Sequence, residues 1–96
     1  MWQQGGTWAH PLVVLRARAN GLGRSRLAFV ASKKVGNAVT RNRAKRRLRE
    51  VARQLFPRIL PGYDLVLIAR GAIVGATLPA VAAAVADLLQ RAKLLQ

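Results

Sequence analysis

Between Lys33 and Arg53 the chain places nine basic side chains in 21 residues: Lys33, Lys34, Arg41, Arg43, Lys45, Arg46, Arg47, Arg49 and Arg53. A single acid, Glu50, answers them. On a helix, Arg43 with Arg47 and Arg49 with Arg53 are like charges four residues apart, each pair destabilising by about 0.2–0.5 kcal/mol. Intrahelical stability does not account for such a pattern, whereas contact with phosphates does. Each neutralised phosphate releases condensed counterions, so affinity falls with salt at a log–log slope of about −0.7 to −0.9 per contact. Guanidinium groups add a planar fork for phosphate oxygens and a flat face for unstacked bases.

Catalytic chemistry has far less to draw on. The three acids, Glu50, Asp64 and Asp87, are scattered, and His10 is the sole histidine, beside Pro11. Cysteine is absent, and neither Ser25 nor Ser32 has an adjacent base. This inventory supports no catalytic residues, no metal site and no cofactor bound by the protein. Gly21 and Gly23 lack the following GK[ST] of a phosphate loop.

The elements that must position the basic residues follow from hydrophobic period. Residues 12–19 alternate, with Val13, Leu15 and Ala17 on one side and Val14, Arg16 and Arg18 on the other. After the turn signal Asn20-Gly21-Leu22-Gly23, a second strand over 26–32 puts Leu27, Phe29 and Ala31 on one face. Its other face carries Arg26, Ala28, Val30 and Ser32. Two strands joined by a short glycine-rich loop predict an antiparallel hairpin. Thr40 is the expected N-cap of a helix reaching Phe56, which Pro57 stops. Along it Ala44, Leu48, Val51 and Leu55 form an apolar stripe, opposite Asn42, Arg46, Arg49 and Arg53.

Asp64–Arg70 reads as a central strand buried on both faces. Thr77 caps a last helix with Leu78, Val81, Val85, Leu88, Leu89 and Ala92 as its stripe. The first ten residues show no period and read as a loose lead-in to a single domain spanning 1–96. The layout is an α/β, two-layer sandwich: a small sheet with both helices on one face and the other face free. On that free face Arg16, Arg18, Arg26 and Ser32 could wall a groove for a single strand, with Trp2 and Trp8 as candidate stacking aromatics.

Composition agrees with a folded partner of a polyanion. The 96 residues carry 17 Lys+Arg and three Asp+Glu, a formal net charge of +14, yet 52% are hydrophobic. The start lacks a secretory layout, and the longest uncharged run, residues 71–86, is short for a membrane span and contains Gly and Pro. A cytoplasmic protein without membrane or small-molecule partners is expected.

Residues 32–50, SKKVGNAVTRNRAKRRLRE, closely resemble the signature of the protein subunit of bacterial ribonuclease P. The resemblance extends through DLVLIAR at 64–70 to the final helix. It implies a mixed sheet with a left-handed β-α-β crossover, against the usual right-handed rule. It also implies a large catalytic RNA as partner, precursor tRNA as substrate, and Mg2+ chemistry carried by the RNA. Arg41, Asn42 and Arg43 would lie near the catalytic RNA, with Lys45, Arg46 and Arg49 continuing that contact. Lys33 and Lys34 match the paired lysines before the crossover, and the sheet face would hold the 5′ leader. Two features depart from the family pattern. The chain begins where the usual N-terminal helix would have ended, and its first strand offers Leu12–Leu15 where many relatives place an aromatic. The alternative reading is a ribosomal or general RNA-binding protein without processing activity.

Overall fold

The computed structural model describes residues 5–96. Strands β1 (Gly6–Ala9), β2 (Val13–Ala19) and β3 (Arg26–Ala31) precede helix α1 (Ala38–Leu55). Strand β4 (Tyr63–Ala69) and helix α2 (Leu78–Arg91) follow, with short 3-10 turns at Phe56–Arg58 and Gly71–Gly75. The sheet order is β1-β2-β4-β3, with β3 and β4 parallel and the other pairs antiparallel.

Three expectations change here. Residues 6–9 are not a loose lead-in but an edge strand, because Trp8 beside Leu15 adds an apolar side chain to the core face. The expected hairpin also does not form. Strands β2 and β3 run in opposite directions, but β4 lies between them. The most continuously apolar strand takes the place between them, where both its backbone edges are paired. The 20–25 loop arches over the start of β4 and is fastened to it. Asn20 N–H donates to the Gly62 carbonyl (2.9 Å), and buried Ser25 donates to the Leu60 carbonyl (2.6 Å) while accepting from Tyr63 N–H.

Strand β4, the third case, is buried on one face only. Leu65, Leu67 and Ala69 are buried, whereas Asp64, Val66 and Ile68 remain half-exposed because no helix covers that side. The helices pack on the other face. Ala44, Leu48, Val51 and Ala52 of α1 join Val81, Val85, Leu88 and Leu89 of α2 over Val13, Leu15, Leu65 and Leu67. Thr77 caps α2 as expected, its hydroxyl accepting from Ala80 N–H. Leu78 has the angular position of the stripe but is 42% exposed, since the first turn of α2 projects past the core. Among the described residues, no helix is long and apolar enough to cross a membrane.

Candidate nucleic-acid interface

Helix α1 starts earlier than Thr40. Asn37 is the N-cap, with its side-chain oxygen accepting from Thr40 N–H at 2.9 Å. Gly36 makes the turn into it at φ +149, where an added Cβ would stand 2.9 Å from the Thr40 Cγ2. Buried Val35 anchors the connecting turn and leaves Lys33 and Lys34 exposed. The first turn of α1 holds no acid and ends on Arg41, a cation near the positive end of the helix dipole, an arrangement that an anion relieves. Asn42, Arg43, Arg46, Arg49 and Arg53 are exposed, and Arg41 and Lys45 half-exposed, along the flank opposite the core stripe. Both flanks are the ones that periodicity predicts.

The nine cations are not equivalent. Arg47 is a brace, donating to the Ala76 carbonyl at 2.6 Å and tying α1 to the approach of α2. Arg53 holds Glu50 at 2.7 Å, and Gln54 donates to the same oxygen. Arg49 lies over the Phe29 ring, 5.3 Å from its centroid. Arg41, Arg43, Lys45 and Arg46 meet no acid among the described residues.

The free sheet face is built from three rows set by strand register. Thr7, Arg16, Val66 and Ala28 form the middle row; Ala9, Val14, Ile68 and Val30 form an apolar row on one side. On the other side Asp64 stands between Arg18 and Arg26. Arg26 grips Asp64 through two 2.8 Å contacts, and Asn20 donates to the same carboxylate at 2.9 Å. These hydrogen bonds, Arg26 first and Asn20 second, hold the Asp64 carboxyl well below the usual carboxylate range. Arg26 is thus occupied, while Arg16 and Arg18 border a shallow cleft of about 380 Å³ with Gly5, Gly6 and Thr7. Ser32 sits past the end of β3, its hydroxyl accepting from Lys34 N–H.

Trp8 lies on the core side of the sheet, packed against buried residues, and does not serve the free face. Trp2 lies outside the described residues. Phe29 and Phe56 stand near cations, and the sequence pattern singles out neither as a binding residue. A signal for one of them exists: Phe56 follows Arg49 and Arg53 by seven and three residues, on one helical flank.

Each acid is ion-paired, Asp87 with Arg91 at 3.5 Å, and His10 Nδ1 accepts from Leu12 N–H. Among the described residues no three acid, histidine or cysteine side chains converge to hold a metal ion. The molecule instead offers two surfaces on opposite sides of one sheet, a cationic helix flank and a free sheet face.

The sequence model of the family described as Ribonuclease P matches residues 1–93. The chain is 45% identical over 95 residues to the ribonuclease P protein component of Roseiflexus sp. (strain RS-1), covering 98% of this chain and 78% of that protein. It is 50% identical over 72 residues to that of Symbiobacterium thermophilum, covering 75% and 63%. Among solved structures it resembles the Staphylococcus aureus RNase P protein, with a TM-score of 0.84 at 30% identity, covering 99% of this chain and 87% of that one. The Thermotoga maritima RNase P protein matches with a TM-score of 0.83 at 31% identity, covering 94% and 86%.

Proposed function

Because the chain belongs to the ribonuclease P protein family, we propose that its two surfaces divide the work of RNA recognition. The α1 flank docks on the RNA subunit, and the free sheet face guides the 5′ leader of precursor tRNA. The protein is a subunit of ribonuclease P and takes part in tRNA processing. In this reading phosphodiester hydrolysis belongs to the RNA, in the cytoplasm, and the Mg2+ it needs is held by RNA groups. The protein's own acids do not fit such an ion, since among the described residues they stand apart and no three of them converge.

The observation that carries the reading is the run Arg41, Arg43, Lys45 and Arg46, which no acid among the described residues answers, on a helix whose other flank is core. Unanswered cations along a rigid rod match a phosphate chain, and each contact releases counterions. A +14 chain also lowers the self-repulsion of the folded RNA, so less divalent ion is required to keep it compact. Lys33 and Lys34 extend the α1 flank, whereas Arg16 and Arg18 supply the phosphate contacts of the sheet face.

Reconstitution tests this directly. Added to a cognate catalytic RNA, the protein is expected to restore 5′ cleavage of precursor tRNA at Mg2+ concentrations where the RNA alone is idle. Cleavage by the protein without RNA, or no effect on the RNA at any Mg2+ concentration, contradicts it.

A further inference from the structure

Between the edge strand β3 and the C-terminal half of α1 lies a cleft of about 320 Å³ that shares Arg49 and Arg53 with the cationic flank but not Arg41, Arg43, Lys45 or Arg46. Its walls are Leu27, Phe29, Ala52 and Phe56, and Arg49 and Arg53 stand at its rim. The volume is at the low end of small-ligand sites, about 300–1,000 Å³. Phe56 is 42% exposed, an aromatic left in water at the end of a helix whose apolar stripe is otherwise buried or half-buried. Strand β3 is bordered by β4 on one edge only, so backbone donors and acceptors on its other edge face no described strand.

We propose that this cleft receives one unstacked nucleobase of the partner RNA, with Arg49 and Arg53 on the flanking phosphates. The inference rests on the RNA-binding reading above and names a contact within it. Charge selects the occupant. A second copy would bring +14 against +14, and a neutral apolar ligand would leave both rim arginines unanswered. RNA repeats a flat aromatic face and an anionic link within one nucleotide, which is the combination the walls and rim present. Arg49, already over Phe29, holds a guanidinium beside the cleft, while the exposed Arg53–Glu50 pair exchanges readily for a phosphate.

The test measures affinity of the full chain for a cognate ribonuclease P RNA across a salt series, with F56A, F56L and F56W beside R43A/R46A. Loss of a stacked base is expected to weaken F56A and F56L roughly 10-fold without changing the salt slope. F56W should keep wild-type affinity and gain a fluorescence component that RNA quenches. If F56A and F56L bind like wild type, or the F56W signal ignores RNA, the cleft holds no base. R43A/R46A separates the two claims: weakened binding there with unaffected Phe56 variants overturns the cleft alone, and no effect in either set overturns both. Loss of self-association in F56A at unchanged RNA affinity would make the occupant a second copy and also overturn the proposal.

Discussion

Leu48 and Arg46 are two residues apart on one helix and have opposite fates, one in the core and one in water. Leu48 is fully buried, so Leu48→Ala should cost about 2–5 kcal/mol in a denaturant titration, the range for leucine truncation in a packed core. Arg46→Ala at an exposed site should leave the same titration within about 0.5 kcal/mol of wild type. Asp64 makes a pH prediction at the same scale. Its carboxyl is held below the ordinary value of 3.8 by Arg26 and Asn20, so the folded state favours the ionised form. That contribution is complete above the unfolded value and is lost as pH falls below it toward the folded one. The melting-temperature gap between wild type and D64N should therefore be widest near neutral pH and close as pH drops below about 4. A gap independent of pH would show that the Arg26 pair does not act through the Asp64 charge.

Elements show which features are legible in the sequence. Both faces of β2, β3 and α1 follow from period alone, since Leu15, Phe29 and Leu48 turn toward the core and Arg16, Ala28 and Arg46 away from it. Strand adjacency does not, because a hairpin and a loop spanning one intervening strand share the same local glycine signal. What separates them is competition for the place beside β2, which β4 takes along its whole length, from Val13 opposite Ala69 to Ala19 opposite Tyr63. The cap expected at Thr40 lies three residues too late, because Asn37, an equally good cap by residue type, precedes it. The geometry selects Asn37, whose oxygen meets Thr40 N–H, with Gly36 supplying the turn. Asn37→Ala should lower stability by about 1 kcal/mol, and Thr40→Ala by less, in thermal melts. At the far end, α2 closes with Leu94 N–H on the Leu89 carbonyl and Lys93 N–H on the Gln90 carbonyl, a Schellman pattern with Lys93 at φ +61. Lys93→Gly should raise stability by about 0.5–1 kcal/mol by relieving the left-handed strain. Of the candidate site, periodicity displays the helix flank. The roles of Arg47 as a brace, Arg26 as a partner of Asp64 and Phe29 under Arg49 depend on contacts far apart in sequence.

For the whole molecule, the governing fact is charge held apart from core. A +14 chain of 96 residues stays folded because its apolar residues face inward from both layers while its cations stay at the surface, nine of the 17 between Lys33 and Arg53. Such a body gains little by closing on itself and much by joining a polyanion. The salt dependence of cognate RNA affinity, compared for wild type and R43A/R46A, tests that claim most directly. The account predicts a log–log slope shallower by about 1.4–1.8 for the variant, two phosphate contacts fewer, with unchanged thermal stability. Two parallel salt plots of equal affinity would place the RNA elsewhere and contradict it.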